Sequence, residues 1–225
     1  MELSPRLIDV HVPARPRGAV LVLHGGAARR GTMMVSPTQL SVLRMVPIAR
    51  HLARSAPELA VFRLLNSHRG WDSRRTPVHD VAWALDQVAD RLGPSAPPVA
   101  LVGHSLGGRA ALLAGGHPSV HCVVALNAWL QSPDGALDLT GRRVLFVHGS
   151  RDRIAPASRA LDASRRASRT ADVGFVMVEG AHHGMLRFSR SFDRASAEFV
   201  KAVLLGTPAS GAVARILAGE SFVRA

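Results

Sequence analysis

The sequence predicts an α/β fold, with a mostly parallel central sheet and helices packed on both of its faces. Short apolar runs rich in valine and leucine alternate with segments of helical periodicity along the chain. The central runs are apolar without alternation, which is typical of strands covered on both faces. Because the chain of 225 residues has no repeat or low-complexity linker, we expect a single domain over residues 1–225.

The predicted strands are the apolar runs, taken in order along the chain. They cover Leu7 to Val12, Ala19 to Leu23, Leu59 to Leu65, Val99 to Val102, Val120 to Leu126, Val144 to Val147 and Val173 to Val178. The helical segments that lie between them favour parallel pairing, since parallel neighbours need a crossover connection.

The clearest predicted helix begins at Thr76-Pro77, where a capping residue precedes proline at the first helical position. Its apolar residues form one stripe, and Gly93-Pro94 ends it. Further helices are predicted around Leu40 to Arg54, after Ser105, from Pro156 to Arg169 and from Phe188 to Leu204. Pro47 indicates a kink or a fresh start in the first of these. Residues 210–225 form either a short tail helix or a frayed end.

Composition argues against a nucleic-acid partner. The 28 Lys and Arg against 16 Asp and Glu give a formal charge of +12. Lys201 is nevertheless the only lysine and tyrosine is absent, which indicates a compositional bias rather than a basic interface. The arginines are scattered and only 4% of residues are aromatic, so no base-stacking platform is predicted.

The sequence carries no recognisable targeting or membrane signal. Residues 1–6 lack the apolar core of a signal peptide, and no apolar run approaches the roughly 18 to 20 residues of a bilayer span. We therefore expect a cytoplasmic protein with no membrane partner. Cys122 is the single cysteine, so neither an intrachain disulfide nor a cysteine metal cluster can form, and its apolar surroundings predict a buried structural residue.

A G-x-S-x-G motif stands where a buried strand gives way to a helix. Gly103-His104-Ser105-Leu106-Gly107 follows the run that ends at Val102 and precedes an alanine- and leucine-rich segment. A sharp strand-to-helix turn leaves no room for a Cβ at the two glycines and lifts the serine above the sheet edge. Ser105 is therefore the predicted nucleophile, and the amide of Leu106 at the helix start is a predicted oxyanion donor.

A serine nucleophile needs a base and an orienting carboxylate, and two later loops supply candidates. Asp152 lies in His148-Gly149-Ser150-Arg151-Asp152, directly after a predicted strand. The last long apolar run leads into Gly180-Ala181-His182-His183, which offers two histidines. Both loops leave the carboxyl ends of predicted parallel strands, as Ser105 does.

Through these three segments the sequence resembles the α/β-hydrolase family over nearly its whole length. The resemblance rests on the serine turn, the H-G-x-x-D-x-x-x-P loop and a G-A-x-H loop, in the order serine, acid, histidine. It implies Asp152 as the acid and His183, rather than His182, as the base. Some members of this fold carry the acid after the preceding strand, which here would mean Asp134 or Asp138.

The resemblance also frames the rest of the predicted site. A second oxyanion donor is expected where a strand ends at Leu23, and we predict the Gly26 amide, with Ala27 as the alternative from related enzymes. Trp71 and Trp129 lie in loops at the same sheet edge and are predicted either to line the substrate pocket or only to pack. Larger members insert a lid after Leu126, whereas this chain has a short connection, so we predict little or no lid.

These features predict a hydrolase of a small-molecule ester or thioester. No metal-ligand spacing, dinucleotide motif or Walker loop is present, so we expect no metal and no cofactor. The same machinery would also serve a peptidase, a lactone hydrolase or an acyltransferase. From another class, a protein that kept the pocket without turnover would bind a small molecule.

Overall fold

The computed structural model describes residues 4–26, 35–131, 134 and 137–225, and its centre is a single twisted sheet. Within these residues eight strands pair in the order β1-β3-β2-β4-β5-β6-β7-β8. The strands are β1 Arg6–His11, β2 Gly18–Leu23, β3 Leu59–Leu65, β4 Val99–His104, β5 Val120–Leu126, β6 Arg143–Gly149, β7 Asp172–Val178 and β8 Phe222–Arg224. β1 pairs antiparallel with β3, and every other recorded pairing is parallel.

Helices cover both faces of this sheet, as the sequence predicts. They are α1 Leu40–Leu43, α2 Met45–Ser55, α3 Thr76–Leu92, α4 Leu106–Ala114, α5 Ala157–Ala167, α6 Ser189–Leu205 and α7 Gly211–Leu217. Helices α3, α4 and α5 pack on one face, whereas α2, α6 and α7 pack on the other. In the described part of the chain, no helix combines the length and the apolar character needed to cross a bilayer.

The central strands divide their side chains between two cores. In β2, Ala19, Leu21 and Leu23 belong to the core under α3, while Val20 and Val22 belong to the core under α2. All five of these side chains are at most 1% exposed. Since successive residues of a strand point to opposite faces, an unbroken apolar run is what a strand covered on both faces requires. The predicted α/β class is confirmed.

The predicted strands all form, with ends displaced by at most two residues. The short strand β8 was not predicted. It lies in the segment for which a tail helix or a frayed end was expected, and the chain there forms α7 and then pairs β8 with β7. Three residues are too few for a strand period to be visible in the sequence.

Two helix starts show how local sequence acts. Pro47 lies in the first turn of α2, where its missing N–H has no partner to lose, so the helix starts afresh after α1 rather than kinking. The prediction that Thr76 caps α3 is wrong. Thr76 is the first helical residue, and the carboxylate of Asp72 accepts hydrogen bonds from its amide at 2.8 Å and its hydroxyl at 2.5 Å.

The tail packs closely against β7. A Cβ added to Gly174 of β7 would lie 2.1 Å from Cγ2 of Ile216 on α7, so the helix rests where the strand has no side chain. Ile216 is 6% exposed, and Val213 on the same helix is 2% exposed. Residues 211–217 therefore extend the core on this face of the sheet.

We predict that Ile216→Ala lowers the free energy of unfolding by about 2–4 kcal/mol, because it leaves a cavity against β7. Gly174→Ala alone is also expected to destabilise, since its methyl group would overlap a stiff β-branched side chain. The double variant should lose less than the sum of the two single losses, by at least about 0.5 kcal/mol, in urea denaturation. Simple additivity would contradict this account of the contact.

Candidate active site

The turn between β4 and α4 holds Ser105 in an unusual backbone conformation. Its φ is 55° and its ψ is −115°, values that an ordinary L-residue adopts only under strain. Hydrogen bonds hold this conformation on both sides: the Ser105 amide donates to Leu126 O at 2.9 Å, and the Trp129 amide donates to Ser105 O at 3.0 Å. The turn is thus tied to the chain that follows β5.

Glycines make this turn possible. A Cβ at Gly103 would lie 2.2 Å from Gly107 O, and a Cβ at Gly107 would lie 2.5 Å from His24 O. Both distances are far below van der Waals contact with backbone atoms, which cannot move aside cheaply. The two glycines of the G-x-S-x-G motif therefore lie where other backbone atoms come too close to leave room for a Cβ.

The structure brings Ser105, His183 and Asp152 together. His183 Nε2 lies 2.9 Å from Ser105 Oγ, and His183 Nδ1 lies 2.7 Å from Asp152 Oδ2. With Nδ1 donating to the carboxylate, Nε2 is free to accept the serine proton. His182, the other candidate, is exposed and lies outside this hydrogen-bonded chain.

The Asp152 carboxylate is buried and well supplied with donors. Its Oδ1 accepts hydrogen bonds from the amides of Ile154 and Ala155, each at 2.9 Å. Burial raises the pKa of this carboxyl, but the hydrogen bond with His183 and the amide bonds outweigh it, so the net pKa is lowered. Asp152 is therefore ionised at neutral pH. His148 Nε2–H donates to Ala155 O at 2.8 Å and braces the same loop.

The amino-acid sequence matches no protein-family model and no curated protein. The structure does match solved structures. XC6422 from Xanthomonas campestris, an α/β serine hydrolase without a lid, has a TM-score of 0.65 at 17% identity, covering 91% of this chain and 90% of its own. An α/β serine hydrolase homologue from Coxiella burnetii has 0.62 at 16%, covering 86% and 89%. Est1E from Butyrivibrio proteoclasticus has 0.64 at 13%, covering 90% and 94%.

This chain has the α/β-hydrolase fold. Its sheet has eight strands, of which the edge strand β1 is antiparallel. The G-x-S-x-G turn and the loops that carry Asp152 and His183 follow β4, β6 and β7, which are parallel, so all three leave the same end of the sheet. The predicted lack of a lid agrees with the short connection between β5, which ends at Leu126, and β6, which begins at Arg143.

In this α/β-hydrolase fold the loop after β2 lies beside the turn that holds Ser105. A Cβ at Gly26 would lie 2.6 Å from Leu106 Cδ1, and a Cβ at Gly25 would lie 3.3 Å from Ser105 Cβ. The two predicted oxyanion donors, Gly26 and Leu106, are thus neighbours. Leu106 begins α4, where the first amides have no partner within the helix. Ala27, the alternative donor, lies outside the described residues.

His24, which precedes these glycines, is a neutral structural residue. It is 2% exposed, and burial lowers its pKa to about 4. Its Nδ1–H donates to Gly25 O at 2.6 Å, while Nε2 accepts a hydrogen bond from the Asn66 amide at 3.1 Å. Both ring nitrogens of His24 are thus hydrogen-bonded, and the side chain joins the loop after β2 to the loop after β3.

Trp71 and Trp129, the two predicted pocket residues, both lie close to the Arg109 guanidinium. The guanidinium carbon of Arg109 lies 3.8 Å from the Trp71 ring centroid and 5.3 Å from that of Trp129. Arg109 is 6% exposed and pairs with Asp134 at 2.8 Å. Asp134, one competing acid, is therefore engaged away from His183. The other, Asp138, accepts a hydrogen bond from the Thr140 amide. Whether the indoles contact substrate stays a prediction.

Sequence reasoning missed four residues that shape this site: His104, Arg109, Asn127 and His148. Arg109 follows Ser105 by one helical turn, and His104 and His148 stand inside the motifs themselves, so position alone was a usable signal. Asn127 carries no local signal. Among residues 4–26, 35–131, 134 and 137–225, no group of three His, Cys, Asp or Glu side chains is arranged to hold a metal ion.

We predict that Asp134→Asn lowers the free energy of unfolding by about 3–5 kcal/mol, because it leaves the buried Arg109 cation without its counter-charge. The matched control is Asp162→Asn, which breaks an exposed pair with Arg165 and should cost about 1 kcal/mol or less. Urea denaturation monitored by tryptophan fluorescence measures both. Equal losses would mean that the buried pair has no special weight.

Proposed function

We propose that this protein is a serine hydrolase that cleaves carboxylic esters or thioesters through an acyl-enzyme on Ser105. The observation that carries the proposal is the continuous hydrogen-bonded chain from Ser105 Oγ through the His183 ring to Asp152, at 2.9 Å and 2.7 Å, on a strained turn. Strain at one backbone position and a fully assembled proton path are both costly to keep without a catalytic use.

The proposed reaction has two halves with the same participants. In the first, His183 Nε2 takes the Ser105 proton as Oγ adds to the substrate carbonyl carbon, and Asp152 stabilises the imidazolium. The amides of Gly26 and Leu106 donate to the oxyanion, and His183 returns the proton to the leaving alcohol or thiol. In the second, water takes the place of the leaving group, and the acid is released as Ser105 recovers its proton.

Structural neighbours support the ester class of substrate. Est1E from Butyrivibrio proteoclasticus has been solved with ferulic acid bound, and PE8 and the Pyrococcus furiosus protein Pf2001 are described as esterases. The short connection from β5 to β6, where larger members of the fold insert a lid, supports access for small-molecule esters. A peptidase, lactone hydrolase or acyltransferase would use the same residues, and competing substrates and acceptors in one assay distinguish them.

We predict that a fluorophosphonate probe labels wild-type protein on Ser105, as read by intact mass and peptide mapping. Ser105→Ala should lose both the adduct and the hydrolysis of activated esters, while its melting temperature stays within a few degrees, since the turn is formed by backbone and glycines. His182→Ala is the matched control and should keep labelling. An unlabelled wild-type protein would favour the alternative, a small-molecule-binding protein without turnover.

We predict that Asp152→Asn lowers kcat near pH 7 by about a thousand-fold or more, equivalent to about 4 kcal/mol of transition-state stabilisation. Asparagine keeps the shape but can present an N–H to His183 Nδ1, which favours the wrong tautomer. KM should change little. Asp134→Asn and Asp138→Asn, assayed below their melting temperatures, should stay within about tenfold of wild type. The reverse ranking would move the acid to the loop after β5.

A further inference from the structure

Asn127, the first residue after β5, is held at the centre of the site by four hydrogen bonds. It is 0% exposed and has φ 43°, a left-handed conformation that asparagine tolerates better than most residues. Its amide donates to Val147 O at 2.9 Å. Its side-chain Oδ1 accepts a hydrogen bond from the Gly149 amide at 2.8 Å, and Nδ2 donates to His182 O at 3.2 Å and to His183 O at 3.0 Å.

These partners leave one orientation for the Asn127 carboxamide. The Gly149 N–H can only donate and the two carbonyls can only accept, so Oδ1 and Nδ2 cannot exchange places. One side chain therefore joins the end of β6, from which the Asp152 loop departs, to the backbone of His183 itself. Among the described residues that lie outside these two loops, no other side chain is hydrogen-bonded both to the end of β6 and to the loop that carries His183.

His104 adds a second donor to the same carbonyl. Its Nε2–H donates to His183 O at 2.9 Å, and its ring centroid lies 5.0 Å from that of His183. Burial lowers the pKa of His104 to about 3, so the ring stays neutral beside the imidazolium that forms during turnover. Two side chains from the ends of β4 and β5 thus converge on one backbone oxygen.

The loop that carries His183 has little internal support. Residues 179–185 form neither helix nor strand, and positive φ values at Gly180 and Met185 bend the chain on either side of the histidine. Within it, the Met185 amide donates to His182 O at 3.0 Å. A loop of this kind is positioned chiefly by bonds from outside.

We propose that Asn127 and His104 are positioning residues, which clamp the His183 carbonyl and so hold its ring at bonding distance from both Ser105 and Asp152. The inference rests on the proposed function for the use of that ring. It deepens the proposed function by assigning the placement of the His183 ring to two side chains whose hydrogen bonds to that loop reach its backbone carbonyls.

The test uses substitutions that separate the donor from the space it fills. Asn127→Gly keeps the left-handed backbone and removes the carboxamide, while Asn127→Asp keeps an acceptor for the Gly149 amide and turns the donor into an oxygen facing two carbonyls. His104→Phe keeps ring volume without a donor, and His104→Gln restores one. Val213→Ala, buried on α7, which packs against β7, β8 and α6, reports what a moderate loss of stability alone does to turnover.

Two readouts are made on each variant. The first is kcat and KM for an activated ester, per active site titrated with fluorophosphonate. The second is the low-field proton resonance of the His183 Nδ1–H bonded to Asp152, which requires no substrate. We expect Asn127→Gly and Asn127→Asp to lower kcat by about 10- to 100-fold, with KM within about threefold, and to weaken or abolish the resonance. His104→Phe should act in the same direction, and His104→Gln should recover most of the loss.

The clamp would be overturned by Asn127→Gly keeping kcat within about twofold of wild type, or by a loss of kcat with an unchanged low-field resonance. A fall in Val213→Ala equal to that in Asn127→Gly would also overturn it, because stability alone would then explain the effect. If Asn127→Asp does not fold, Asn127→Gly and the His104 pair decide. If wild type neither hydrolyses esters nor takes the probe, the proposed function fails, while the resonance still tests the clamp.

Discussion

The strained turn at Ser105 is the constraint on which the rest of this site depends. A φ of 55° with ψ −115° is stable only because two glycines allow backbone to approach backbone and because the strand on one side and the helix on the other are deeply buried. Such a conformation costs on the order of 1–3 kcal/mol, which the close packing around β4, a central strand of the sheet, offsets. This conformation places the Ser105 hydroxyl close to the first amide of α4 and to the loop after β2.

The buried polar side chains that support this turn are either uncharged histidines or are paired with an opposite charge. Burial lowers the pKa values of His24, His104 and His148, so these rings serve as hydrogen-bonding struts without bringing charge next to His183. Arg109, the buried cation nearby, is paired with Asp134 and stacked on an indole. The Asp152 carboxylate therefore acts on His183 beside supporting groups that are neutral or paired with an opposite charge.

Much of this could be predicted from the sequence, because the signals are local. Each apolar run forms its strand, and the G-x-S-x-G turn can be recognised because its serine and its two glycines keep a fixed spacing within five residues. The predictions fail where a contact is distant in sequence or too short to show a period. Thr76 carries the usual signature of a cap, yet Asp72 supplies the bonds. Strand β8 is too short to show a strand period in the sequence. The role of Asn127 depends on hydrogen bonds with Gly149 at the end of β6 and with the loop that follows β7, which are distant from it in sequence.

Strand register brings the loops that carry Asp152 and His183 to the same place, where individual side chains can then position the His183 ring. Gly149 pairs with Val178 across β6 and β7, and beyond that pair the Ser150 amide donates to Val178 O and the Arg151 amide donates to Ala181 O. The two loops thus continue the pairing of the sheet as they leave it. Because β6 and β7 are covered on both faces, a slip of one residue would exchange side chains between the two cores and place a larger residue than Gly174 under Ile216. The packing that fixes the register therefore also fixes where Asp152 and His183 emerge. The hydrophobic pattern that makes the sheet therefore sets the spacing of the polar groups at its edge.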